Sequence, residues 1–230
     1  MTNPTTSSPH DTSEQPVPRM LAASRLAQYI SRKRCERYLH LYLFPSVTKR
    51  LQERWGVKVE PLSPLLSAEG QSFEREKIDE LRAGGELVVD LTNKNGREFF
   101  EELKRQPEGR VYYYQPSLEG RLGSWLAGGR ADLIEATRDA EGVFRLVVID
   151  IKASARETVG FRLQVAFYAV LLESSAAASS VTISEIGGAI AARDSEFAAG
   201  KWNEFDLTLF KDEVGRLVAA PDSDVAVLPV

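Results

Sequence analysis

Apolar residues recur at helical spacing soon after residue 20. Leu26, Tyr29 and Ile30, then Tyr38, Leu39 and Tyr42, alternate with Arg and Lys and predict a helix over 24–43, with Ser24 as N-cap and Pro45 as stop. A second helix is predicted over 64–82, ending at Gly84-Gly85, a pair suited to a left-handed C-cap. Residues 86–91 alternate as a short strand, and 96–106 return to helical spacing through Phe99, Phe100 and Leu103 before Pro107 and Gly109 break the chain. From Arg110 the pattern turns to strands: 111–115, a run within 124–136, and 143–152, the strongest strand signal in the chain. The polar segment Arg138-Asp139-Ala140-Glu141-Gly142 between the last two reads as a hairpin turn. A helix apolar on nearly all sides, and therefore buried, is predicted over 160–174, followed by a Ser/Ala connector over 174–180. Strands over 181–193 and 204–210 and a short helix near 211–217 complete the pattern, and no internal repeat is visible. The whole predicts an α/β fold with a mixed β-sheet flanked by helices. A disordered polar tail is expected over 1–20 and one domain over 21–230, its core about 64–174 and its C-terminal strands and helix within 181–230.

Composition narrows the chemistry. The chain has 230 residues, enough for a substantial core. One cysteine, Cys35, and two histidines, His10 and His40, exclude an internal disulfide framework, a four-cysteine metal site and a three-histidine zinc site built from this chain alone. Metal chemistry must then run mainly on carboxylates, which suit Mg²⁺ or Mn²⁺. The longest wholly apolar stretch, 165–172, is far short of the roughly 20 residues a bilayer requires. No membrane partner is expected. Residues 1–18 hold four Pro and seven Ser or Thr with no apolar stretch, unlike a signal peptide, so a cytoplasmic location is expected.

Charge is uneven. Residues 21–60 carry nine basic and three acidic side chains, a local +6 on a chain of net −4. Such a segment suits contact with a polyanion, and charge alone is equally compatible with a solvated helix face.

The hairpin sharpens the picture. With its turn centred on Glu141, Asp132 and Asp150 are equidistant from the centre and face each other across the strands. Directly opposed residues have Cβ atoms about 5 Å apart, so two carboxylates there repel unless a positive charge lies between them. A divalent cation meets that need. Lys152, two residues past Asp150, lies on the same strand face. Two acids and a lysine converging suit metal-assisted phosphodiester hydrolysis, the ammonium stabilising developing negative charge or orienting the attacking water. A surface salt bridge is the plainer alternative. The charged residues, however, end a run of Val147-Val148-Ile149, where ligand sites of α/β sheets tend to lie.

With these residues placed, the chain resembles the PD-(D/E)XK nucleases, in particular the RecB-like branch that also contains the nucleases of CRISPR adaptation. Gly129-Arg130-Ala131-Asp132 resembles the motif bearing the first metal-binding aspartate, and Asp150-Ile151-Lys152 the D/E-x-K motif. Gly70-Gln71-Ser72-Phe73-Glu74 is similar to the G-x-x-x-E of the preceding helix, and Gln164-Val165-Ala166-Phe167-Tyr168 to the Q-x-x-x-Y signature; Gln115-Pro116 with Leu118 and Gly120 also has the family's look. The resemblance spans about 21–172, and four motifs in family order carry it.

The resemblance implies a restriction-endonuclease-like core and a Mg²⁺- or Mn²⁺-dependent DNA nuclease serving repair, recombination or defence. Asp132, Asp150, Lys152 and Glu74 become the catalytic set, and Glu74, Asp132, Asp150 and the Ile151 carbonyl the metal ligands. Gln164 and Tyr168 would orient the substrate strand, while Arg130 serves either a phosphate or a structural ion pair. Arg32, Lys33, Arg34 and Arg37 are the candidates for backbone contact with DNA, single-stranded or with unpaired ends. Some members place an iron–sulfur cysteine at the position of Cys35, but the other three are missing, so no cluster is expected and Cys35 reads as a buried, inert thiol. No phosphate-binding G-x-x-x-x-G-K-[ST] occurs, so a helicase would be another protein or a missing part of a longer one, and a helicase or other repair or defence protein is the expected protein partner. Two other readings stand beside this one: a catalytically silent DNA-binding or protein-docking module of the same fold, and hydrolysis of RNA or a small phosphoester.

Overall fold

The computed structural model describes residues 20–56, 64–123, 125–154 and 157–219. The expected polar tail up to residue 19 and the chain from 220 onward lie outside the described residues. Where one helix is predicted over 24–43, the chain forms α1 (Ala23–Ser31) and α2 (Glu36–Leu43), with Ala22 rather than Ser24 at the N-cap. The polar run 31–34 has nothing to bury, and the chain turns there with Lys33 and Arg34 at φ 56° and 58°. Cys35 is consequently exposed at the head of α2, not buried. Pro45 ends α2 and also opens α3 (Pro45–Trp55), since a first-turn proline gives up no helical hydrogen bond.

Helix α4 (Pro64–Ala83) ends as predicted, with Gly85 at φ 91°. Strand β1 (Val88–Asp90) leads to α5 (Gly96–Arg105), which is opened by a capping box between Asn95 and Glu98. Then come β2 (Gly109–Tyr114), β3 (Ser117–Leu122), β4 (Trp125–Arg130) and β5 (Leu133–Arg138). Strand β3 was not predicted, and the run expected within 124–136 is two strands in two sheets. The four form one ribbon whose register is unbroken from Gly109↔Arg138 to Leu122↔Trp125. The ribbon bends where Gln115-Pro116 lies opposite Ala131-Asp132. At the bend Gln115 N–H donates to the Asp132 carbonyl at 3.0 Å, and Gln115 takes φ 51°, a left-handed conformation that costs energy in a non-glycine residue.

Strand β6 (Phe144–Ile151) returns along β5 from Arg138↔Phe144 to Leu133↔Ile149, the register centred on Glu141. Helix α6 (Val159–Ser179) begins at the Thr158 cap and runs through the Ser/Ala stretch expected to be a connector. Alanine has the highest helix propensity, and Ala176 is buried. Strand β7 (Ile183–Ala191), a 3-10 turn (Phe197–Ala199), β8 (Asn203–Phe205) and α7 (Thr208–Ala219) follow. The strand expected over 204–210 stops at Phe205 because the Asp206 side chain accepts the Thr208 N–H at 2.8 Å and starts α7.

The six-stranded sheet has the order β1-β2-β5-β6-β7-β8. Strands β1 and β2 pair in parallel, as do β6 and β7, and the other pairings are antiparallel, so the sheet is mixed. Side chains alternate between its faces. Tyr112, Tyr114, Leu133, Val147, Ile149 and Ile151 pack with Ile78 and Leu81 of α4 and with Phe197. On the other face Val111, Tyr113, Ile134, Ala136, Leu146 and Val148 pack with residues of α1, α5, α6 and α7. This α/β layering brings the C-terminal ends of β1, β2, β6 and β7 and the start of β5 to one end of the sheet. No helix among the described residues is long and apolar enough to cross a membrane.

Candidate active site

Asp132 lies in the bend of the ribbon, one residue before β5; Asp150 stands one residue from the end of β6, and Lys152 directly follows that strand. Asp132 Oδ2 accepts the Ile151 N–H at 2.8 Å. Lys152 Nζ lies 2.7 Å from Asp150 Oδ1 and 3.5 Å from Asp132 Oδ2, so one ammonium serves both carboxylates. It also stands 5.4 Å above the ring of Phe161 on the first turn of α6. Asp150 is only 6% exposed, and its Oδ2 is buried without a hydrogen-bond donor. Burial, and then the Asp132 charge, raise the Asp150 carboxyl well above the usual carboxylate range, with Lys152 opposing. Burial works to lower Lys152, but Asp132 and Asp150 outweigh it and hold the ammonium protonated.

Glu74, on α4, is half-buried. Its Oε1 accepts the Gln115 side-chain N–H at 2.8 Å. Burial first, then Asp132, raises its carboxyl, while Gln115 and Tyr114 act in the opposite sense. One turn apart on α6, Gln164 is half-buried and Tyr168 donates its hydroxyl to the Arg130 carbonyl at 2.8 Å. A Cβ on Gly129 would stand 2.8 Å from that hydroxyl, so only glycine leaves Tyr168 its place. Burial, Asp132 and Asp150 raise the Tyr168 hydroxyl, which stays protonated as a donor. The Arg130 side chain is exposed at the mouth of a cleft of about 500 Å³ between α4 and the strand ends, which Tyr114, Gln115 and Asp132 also line.

The basic residues near the N-terminus are not joined to these groups by a hydrogen bond or ion pair among the described residues. Arg34 pairs with Glu213 of α7 at 2.5 Å, Arg32 stacks over Tyr38, and Lys33 and Arg37 are exposed. Three positions absent from the predicted set support the site, two by direct contact and one through its neighbours. Gln115 holds Glu74, and Gly129 makes room for Tyr168. Arg193 ties the loop after Lys152 to α4: its Nε donates to the Ala153 carbonyl at 3.1 Å, and its guanidinium lies 5.7 Å from the ring of Phe73, next to Glu74.

The donor set is one of carboxylate oxygens, which fits a hard divalent cation, and the donorless Asp150 Oδ2 is a buried oxygen such an ion would satisfy. Among the described residues no three acids are gathered as tightly as in a metal cage; Asp132 and Asp150 converge on Lys152, and Glu74 turns to Gln115. Neither protein-family models nor curated proteins give a match to the chain.

Proposed function

We propose that this chain is a metal-dependent DNA nuclease of the PD-(D/E)XK superfamily, RecB-like branch. The observation that carries the proposal is the pair Asp132 and Asp150, served by one Lys152 ammonium at the end of the sheet, with a buried Asp150 oxygen left without a donor. Mg²⁺ or Mn²⁺ would be held by Asp132 and Asp150, with Glu74 and the Ile151 carbonyl completing the set, and when bound it supplies Lewis-acid polarisation of the phosphoryl oxygens. Lys152 stays protonated and stabilises the negative charge that grows on the phosphate as water attacks. Tyr168 fixes the Arg130 backbone, and Gln164 and Tyr168 orient the substrate strand. The mixed sheet, with its charged residues at the strand ends, supports the restriction-endonuclease-like reading of the core.

One observation favours the rival reading of a silent DNA-binding or protein-docking module. The Lys152–Asp150 pair neutralises a buried charge without any metal ion, as a purely structural pair does. Incubation of end-labelled single-stranded DNA, duplex DNA and RNA with Mg²⁺, Mn²⁺ or EDTA separates the readings. The proposal expects metal-dependent cleavage of DNA and none in EDTA. Binding without cleavage under every metal condition would select the module, and cleavage of RNA alone would select a ribonuclease.

A further inference from the structure

The cleft beside Asp132 is lined by three arginines and three aspartates: Arg75, Arg82 and Arg130, and Asp79, Asp90 and Asp132. Equal numbers suggest a neutral surface, but their partners differ. Arg82 is bound to Asp79 at 3.0 Å. Asp90 accepts both the N–H and the hydroxyl of Thr92, at 2.9 and 2.6 Å, and Asp132 is held by Ile151 and Lys152. Among the described residues, Arg75 on α4 and Arg130 at the end of β4 have no ion pair and no side-chain hydrogen bond. Two free guanidinium groups therefore border the cleft from different elements, and every acid beside them is engaged by groups of the protein itself. Guanidinium groups suit phosphate oxygens, which they can grip with two parallel N–H bonds. At about 500 Å³ the cleft has the capacity of a small-ligand site, whose usual range is roughly 300–1,000 Å³.

We propose that Arg75 and Arg130 form a phosphate subsite that holds the backbone of a single DNA strand beside the scissile phosphate; this rests on the nuclease reading above. The strand would then run along the α4 side of the sheet end before it reaches the carboxylates and the Gln164–Tyr168 face of α6. The geometry makes Arg75, which no motif marks, as important to binding as Arg130.

The test is fluorescence anisotropy of labelled dT12 on the full chain in EDTA across a salt series, with Arg75→Gln, Arg130→Gln and, as a control on α5, Arg105→Gln. Each cleft variant should weaken binding about 3- to 10-fold and flatten the dependence of log K on log salt by about 0.7, the single-strand value for one lost phosphate contact. Arg105→Gln should match the wild type. Both cleft side chains are exposed, so thermal melting of the variants should stay at the wild-type value and exclude misfolding. If the wild type cuts DNA and both cleft variants keep its affinity and salt slope, the subsite is wrong and the nuclease reading stands. If the slopes fall as expected but no metal brings cleavage, Arg75 and Arg130 hold a strand that is not cut: the phosphate contacts are right, and the nuclease reading with its scissile phosphate fails. A wild type that does not bind dT12 overturns the subsite.

Discussion

Asp132 Oδ2 accepts the backbone N–H of Ile151 at 2.8 Å, although the β5–β6 ladder ends one pair earlier, at Leu133↔Ile149. A side chain thus takes the place of the next backbone acceptor and fixes one carboxylate beside the end of β6. Asp132→Asn retains an oxygen for that bond and removes the charge. Its stability should therefore stay within about 1 kcal/mol of the wild type, the scale of one hydrogen bond. Affinity for Mn²⁺, measured by calorimetry, should fall at least 10-fold. Unchanged Mn²⁺ affinity would remove Asp132 from the ligand set.

Lys152 opposes the repulsion of two nearby carboxylates in the metal-free protein, so Lys152→Ala should destabilise it by about 3 kcal/mol at neutral pH, the usual cost of breaking a buried pair. The pH dependence has a definite sign. An acid whose pKa is raised on folding loses stability as pH climbs from its ordinary value, 3.8 for Asp150, towards the raised one. Without Lys152 the Asp150 value rises further. The deficit should be smallest in acid, where Asp150 is protonated, and grow towards neutral pH. Added Mg²⁺ should restore part of the loss. Urea denaturation at several pH values checks this, and a deficit independent of both pH and Mg²⁺ would contradict it.

Gly129 and Tyr168 should be coupled. Gly129→Ala places a methyl group against the Tyr168 hydroxyl and should cost about 1–3 kcal/mol, the usual range for overpacking. Tyr168→Phe removes the obstructing oxygen, so the double variant should be more stable than the two single changes predict by at least 0.5 kcal/mol, the size of coupling expected for residues in contact. A double-variant cycle by chemical denaturation gives the answer. Strict additivity would mean that the two do not meet as described.

Arg193 acts on the site through others, by holding the Ala153 carbonyl and stacking on Phe73. Arg193→Ala should reduce Mn²⁺ affinity roughly 10-fold, as loss of an outer-shell support does. Arg193→Lys, which keeps the charge, should recover part of that affinity. A melting temperature that falls with no change in Mn²⁺ affinity would assign Arg193 to structure alone.

Much of this arrangement was legible in the sequence because local rules govern it. The β-branched run 147–149 and the polar turn 138–142 fix the β5–β6 register, and with it the approach of Asp132 to Asp150. The end of α4 follows from Gly84-Gly85, and α5 from the spacing of Phe99, Phe100 and Leu103 before Pro107. What escaped depends on contacts between distant segments. The motif resemblance marks Glu74 itself, but the contact that turns it inward comes from Gln115, 41 residues on. Strand β3 escaped because Glu119, Gly120 and Arg121 interrupt its apolar pattern, and the Lys33-Arg34 break has no proline or glycine to announce it. Arg75 carried no motif, and its freedom from partners is visible only once α4 stands beside the strand ends.

If Asp150 and Lys152 do chemistry rather than merely pair with each other, cleavage must depend on both. Cleavage of end-labelled single-stranded DNA with Mg²⁺ or EDTA, by the wild type, Asp150→Ala and Lys152→Ala, tests this dependence most directly, with circular dichroism confirming that each variant is folded. The wild type should cleave in Mg²⁺; folded Lys152→Ala should lose at least 100-fold, the lower end of what a transition-state donor contributes, and folded Asp150→Ala, lacking a carboxylate for the metal, should lose cleavage as well. Full cleavage by either folded variant, or a wild type that binds DNA and never cuts it, would make Asp150 and Lys152 a structural pair only.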